Sequence, residues 1–250
     1  MGNELQQRAK TEKLLRLART DINTFNELVL RDARTGTQIR QAEIHLSWQQ
    51  HIEWCFKNNK KAGILAPWGH GKSSQIIGRI LWHIGLNPSV RIKVVCNVDN
   101  LATGRVSTAK SYIENSPEYR MVFPDIKPDY NEWASQKFSV KRAVASPDST
   151  LEAYGILGTG VGGRADMLIV DDPVDHKNAI LEPKKQIQVI ESFYNVWLSR
   201  LEPEGKLIYI ATRWTTTDLT AELLKNSEYV FLEQRVSKDF SYIEEEILSR

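Results

Sequence analysis

The chain has 250 residues, 41% hydrophobic and 26% charged, which is enough apolar material for one sizeable α/β core and too much for disorder over most of its length. A formal net charge of only +2 supplies no global field to draw the protein onto nucleic acid, so any such contact rests on a local basic patch or on assembled subunits. Cys55 and Cys96, the two cysteines, lie too far apart for a CxxC, and no apolar run approaches the roughly 20 residues of a membrane span.

The five histidines (His45, His51, His70, His83, His176) show no zinc-ligand spacing. The polar N-terminus is no signal peptide, and Gln6 stands where a myristoylation pattern needs Ser or Thr. These features predict a soluble cytoplasmic protein with no membrane partner.

In chain order, residues 1–30 read as helical and 31–43 as a polar connection. HLSWQQHIEWCF follows as an amphipathic helix, and AGILA (62–66) as a buried strand. SSQIIGRILWHIG is helical and RIKVVCN (91–97) a strand. The next helix begins at DNLATGR, with Asp99 expected as its N-cap. Residues 117–150 carry four prolines and predict loops with a short hairpin around KFSV. EAYGILG reads as a strand before the glycine-rich TGVGGRA, and MLIVDD is the strongest buried-strand signal in the chain. A helix over 183–200, the strand KLIYIAT, a helix from Asp218 to Lys225 and the strand YVFLEQRV complete the pattern. SYIEEEILSR, at the end, reads as a helix. Strands alternating with helices predict a mostly parallel sheet covered on both faces.

Three segments carry chemistry. Ala66-Pro67-Trp68-Gly69-His70-Gly71-Lys72-Ser73 fits the phosphate-binding P-loop except that Ala66 replaces the first glycine. Gly71 lets the backbone curl so that successive N–H groups face an anion, and the following helix N-terminus adds favourable dipole charge. Lys72 would place a cation on the β- and γ-phosphates, Ser73 would offer its hydroxyl to Mg²⁺, and Ser74 lies beside it. Trp68 and His70 read as loop packing or nucleotide shielding.

Met167-Leu168-Ile169-Val170-Asp171-Asp172-Pro173 reads as a buried strand with carboxylates at its C-terminal end, where open α/β sheets place ligands. Asp171 would hold Mg²⁺ through water, and Asp172 would orient and deprotonate the attacking water. Roughly a hundred residues separate the two segments, which leaves room for a strand between them. KLIYIATRW ends a third strand in Thr212 and Arg213; an ordinary capping threonine would look the same.

APWGHGKSS, GTGVGGRADMLIVDDP and ATRWTTTDL together resemble the large terminase subunit of tailed phages, over roughly residues 45 to 225. The resemblance implies a three-layer P-loop NTPase of the additional-strand, catalytic-acid type. It implies hydrolysis of ATP with Mg²⁺ to translocate double-stranded DNA into a procapsid. It also implies a homo-oligomeric ring, commonly a pentamer, working with a portal protein and a small terminase subunit in the host cytoplasm. Thr212 would couple hydrolysis to movement. Gln49 resembles the glutamine that reads adenine, with Gln50 the alternative. Arg164, in GGRA, is the first candidate for an arginine finger acting on a neighbouring subunit, and Arg142 the second. Trp68 stands where the family often has Arg, and Thr215 where it often has His.

The expected organisation is an N-terminal helical extension (1–44), a P-loop ATPase core (45–234) and the start of a linker toward a C-terminal nuclease domain (235–250), with no nuclease activity in this chain. Arg105, Lys110, Arg120 and Lys127 are candidate DNA contacts, though each such residue is more often a plain solvated charge. A helicase-type ATPase shares all three motifs. A small-molecule kinase would need an arginine-bearing lid, and a non-catalytic nucleotide-binding module would bind ATP without turnover.

Overall fold

The computed structural model describes residues 2–158, 162–236 and 242–247. Two helices, α1 (Gly2–Thr20) and α2 (Ile22–Val29), precede α3 (Glu43–Lys57). The strand β1 (Lys61–Leu65) leads through a loop into α4 (Lys72–Leu86), and β2 (Ile92–Cys96) into α5 (Asp99–Asn115) and α6 (Pro117–Val122). The hairpin expected around KFSV is β3 (Pro128–Trp133) and β4 (Lys137–Val140), paired antiparallel. Then come β5 (Leu151–Gly155), β6 (Ala165–Asp171), α7 (Pro183–Ser192), β7 (Leu201–Ala211), α8 (Leu219–Leu223), β8 (Tyr229–Val236) and β9 (Tyr242–Ile247). Among the described residues no helix is long and apolar enough to cross a membrane.

All nine strands form one sheet in the order β3-β4-β5-β2-β6-β7-β1-β8-β9. Its six central strands are parallel, and antiparallel strands flank them at both edges. β7 lies between the P-loop strand β1 and the acidic strand β6, which is the additional-strand arrangement.

Period-2 alternation builds the three layers. Val94, Ile169, Ile208 and Ile210 face one side and pack with Phe25, Trp48, Ile80 and Val106 of the helices α2 to α5. Their neighbours Val95, Val170, Leu207 and Tyr209 face the other side, against Val189 of α7 and Leu219 and Leu223 of α8. Both faces are buried over residues 167–170 of β6 and 207–211 of β7, so these stretches read as continuous apolar runs. Ala18, Ile22, Phe25, Val29 and Leu30, from the first two helices, join the first cluster, so the N-terminal segment shares the core of the sheet.

Three local expectations are corrected. Val98, not Asp99, is the N-cap of α5; Asp99 is its first helical residue and accepts a 2.7 Å hydrogen bond from the Gly155 N–H. The helix expected over 183–200 holds only to Ser192. It continues as a π-helical segment, Phe193–Trp197, and a 3₁₀ turn, Leu198–Arg200. The buried Trp197 indole N–H donates to the Ile156 carbonyl at 2.8 Å. The segment read as a C-terminal helix contains a strand, β9, which pairs antiparallel with β8. Residues 159–161 of the glycine-rich stretch, and 237–241 and 248–250 of the expected linker, lie outside the described residues.

Candidate active site

Sheet register brings the three motifs together. Leu65 at the end of β1 pairs with Ala211 of β7, and Asp171 at the end of β6 pairs with Ile210 of the same strand. Ala66, Thr212 and Asp172 therefore leave the sheet side by side. The connecting loop turns back through two left-handed glycines, Gly69 at φ +77° and Gly71 at φ +74°, the latter being the N-cap of α4. Residues with a Cβ rarely adopt that conformation, and a Cβ on Gly71 would also stand 3.1 Å from His45 Nε2.

This turn drops Lys72, 6% exposed, into the middle of the strand ends. Its Nζ donates to the Ala66 carbonyl at 3.0 Å and to Thr212 Oγ1 at 2.6 Å, and lies 3.0 Å from Asp172 Oδ2. Thr212 closes the cluster. Its N–H donates to Asp172 Oδ1 at 2.7 Å, and its hydroxyl donates to the Ala66 carbonyl at 3.3 Å. Asp172 has φ +46°, a conformation that short polar side chains tolerate best, and its own N–H is tied to the Ile210 carbonyl at 2.9 Å. A strained residue held by bonds on both sides is common at catalytic sites.

Asp171 has a different environment. It is 2% exposed, and burial raises its carboxyl pKa although the Arg105 guanidinium beside it works the other way. Burial disfavours the Arg105 cation, but the Asp171 carboxylate more than offsets this and holds its pKa above the ordinary value. Asp171 Oδ1 is buried and has no hydrogen-bond partner. An orphaned carboxylate oxygen is suited to a cation or its water shell. Among the described residues no group of three or more His, Cys, Asp or Glu could hold a metal ion. A donor set of one carboxylate and one serine hydroxyl fits Mg²⁺, which keeps several waters and takes ligands from substrate phosphates. Ser73 and Ser74 are half-buried at the start of α4 and line a cleft of about 570 Å³ that Arg105 also lines.

The outer loop is apolar. Pro67 is half-buried and His70 folds back toward the Trp68 carbonyl, while Trp68 itself is 72% exposed. Its ring meets Trp214 edge-on at 6.4 Å, and Trp214 in turn meets His176 at 6.1 Å. His45, on α3, was not singled out by sequence. Its Nδ1 accepts from the Ala42 N–H and its Nε2 donates to the His70 carbonyl at 2.9 Å, so it props the loop as a neutral ring. Burial lowers its pKa accordingly.

No protein-family profile matches the chain. It is 25% identical over 174 residues to the large terminase subunit of Enterobacteria phage T3, an alignment covering 69% of this chain and 29% of the relative. The crystal structure of the bacteriophage HK97 large terminase superposes with a TM-score of 0.59 at 15% identity, over 89% of this chain and 45% of that one.

The chain resembles the large terminase subunits.

It spans 29% of the length of the curated terminase it matches. The large terminase ATPase domain of Thermus phage P74-26 superposes at a TM-score of 0.44, with 12% identity, over 78% of this chain and 86% of that domain.

Two residues carried over from the terminase motifs lie away from the Lys72 cluster. Gln49 is 1% exposed and its amide is engaged at both ends: Nε2 donates to Gln75 at 2.7 Å, and Arg79 donates to its side-chain oxygen. As placed, it stitches α3 to α4 and offers no open edge to a base, whereas Gln50 is exposed. Arg164 is exposed at the entry of β6, with Asp172 beyond the exit. That is a strand length of roughly 20 Å. Its side chain reaches the Ser199 carbonyl at 3.3 Å, and Asp166 pairs with Arg91 instead. Arg142 is tied to Thr150 and the Asp148 carbonyl.

Thr215, where terminases often carry His, has a structural role. Its N–H donates to Asp218 at 2.9 Å and its hydroxyl accepts from Gln186 of α7. Asp218 also caps α8 through the Ala221 N–H. Of the candidate DNA contacts, Arg105 is engaged with Asp171 and Lys110 with the Trp133 and Ala134 carbonyls, while Arg120 and Lys127 are exposed.

Proposed function

We propose that the chain hydrolyses ATP with Mg²⁺ and that, within a terminase-like assembly, hydrolysis drives double-stranded DNA into a procapsid. The observation that carries this is the convergence of Lys72, Asp172 and Thr212 at the C-terminal ends of three central strands. A P-loop lysine next to a half-exposed carboxylate is the equipment for binding a triphosphate and aiming water at it.

In this reading the loop N–H groups and Lys72 bind the β- and γ-phosphates, drawing the ammonium away from Asp172. The freed carboxylate orients the attacking water and takes its proton. Thr212 bonds both Lys72 and Asp172, so it transmits their rearrangement along β7. Ser73 and Asp171 would hold Mg²⁺, which neutralises phosphate charge when bound. Arg164 is too far from its own site to act there and would serve a neighbour's. DNA, portal protein and small terminase subunit are the partners of that assembly. DNA contacts through phosphates make binding salt-sensitive and weakly sequence-specific.

The test is ATP turnover per subunit against protein concentration, with and without double-stranded DNA. Turnover should rise with concentration and fall about 10²-fold or more in Lys72→Ala and Asp172→Asn. Arg164→Ala should abolish the concentration dependence, since a finger is worth on the order of 10³-fold. ATP bound but not hydrolysed at any concentration, with Asp172→Asn indistinguishable from wild type, would reduce the chain to a nucleotide-binding module.

A further inference from the structure

One arginine enters the site without a part in the mechanism above. Arg105 Nε and Nη2 both lie 2.8 Å from a single oxygen, Asp171 Oδ2. Arginine–carboxylate pairs are frequently two parallel bonds, one to each oxygen, because that satisfies both acceptors. Here both donors converge on Oδ2, and Oδ1 is left buried and unpartnered. The Asp171 side chain is 1% exposed, out of reach of bulk solvent. A buried acceptor without a partner carries its full desolvation cost.

Docking of the helix does not require this arrangement. α5 is already fixed by buried Ala102, Val106, Ala109 and Ile113, and by the bond from Gly155 to Asp99. The arginine instead touches both surroundings suited to a divalent cation: it grips Asp171 and also lines the cleft that Ser73 and Ser74 line.

We propose that Arg105 is a positioning residue of the metal site, whose one-sided grip on Asp171 Oδ2 fixes the carboxylate with Oδ1 presented to a divalent cation. Arg105 touches neither nucleotide nor reacting atoms and acts through Asp171. This rests on the ATPase reading.

The experiment measures binding of a fluorescent, non-hydrolysable ATP analogue while Mg²⁺ is titrated, for wild type, Arg105→Gln and Arg105→Lys. Arg105→Gln should bind the analogue normally in EDTA but need about 10-fold more Mg²⁺ to reach the midpoint of the metal-dependent enhancement. Arg105→Lys keeps the charge without the paired N–H donors and should fall between; it gives the same measurement if the Gln variant fails to fold. In an Asp171→Asn background the Arg105 substitutions should add nothing. An unchanged Mg²⁺ midpoint in a folded Arg105 variant overturns the proposal, as does a midpoint that falls, which would make Arg105 a competitor of the cation. A wild type that binds the analogue with no response to Mg²⁺ overturns the ATPase reading instead.

Discussion

Asp172 has two roles that a substitution can separate. Its carboxylate caps the Thr212 N–H and pairs with Lys72, while its backbone occupies the left-handed region. Asparagine keeps the accepting oxygen and tolerates the same φ, so Asp172→Asn should leave stability within about 1 kcal/mol of wild type by urea denaturation. Turnover should still collapse, because an amide cannot take a proton. A variant that loses both together would make Asp172 primarily structural. Lys72 was legible because the P-loop pattern demands a lysine where the loop enters α4, and Asp171 and Asp172 because acids follow an apolar strand; Thr212 looked like any capping threonine until the terminase resemblance singled it out. Arg105 and His45 were not legible as site residues. They reach the site across 66 and 25 residues of chain, and only packing decides where such side chains arrive. Gln49 shows the converse: a motif position whose amide is occupied by neighbours that no spacing rule announces.

At the level of elements, α4 couples the phosphate loop to the core, and its acid tolerance depends on His83. That ring sits in the last turn between Trp82 and Phe56, and burial, aided by the Arg79 charge, pushes its pKa down to about 3. A cation there would suit the helix dipole, but desolvation dominates. The native state therefore holds a neutral ring, whereas the unfolded chain takes up a proton below about pH 6.5. Stability from this site is complete above that value and is lost as pH falls toward 3. Urea denaturation should show wild type losing roughly 1–2 kcal/mol more than His83→Phe between about pH 7 and pH 5. Parallel pH profiles would remove His83 from the acid limb. The strand β9 teaches a related lesson. YIEEEI has the glutamates of a good helix, but antiparallel pairing along β8 overrides that weak preference. β6 and the second half of β7 were easier to read, since burial on both faces leaves uninterrupted apolar runs there.

At the scale of the whole molecule, the two apolar clusters lie on opposite faces of one sheet, so a cavity on either face weakens the layer packed against it. Ile169, fully buried on β6 and two residues from Asp171, is the sharpest probe. Ile169→Ala should cost about 2–5 kcal/mol by denaturant titration. Nucleotide binding should weaken only to the extent that the folded population does; a larger loss at full folding would mean that the strand is strained toward the site. β6 also gives the molecule a polarity. The acids stand at its exit, and the arginine put forward as the finger stands at its entry. Copies that complete one another's chemistry in this way must meet unlike end to unlike end. Copies that all face in one direction close into a ring or run on as a filament, whereas a two-fold pair sets them antiparallel, so that each entry meets the other's exit.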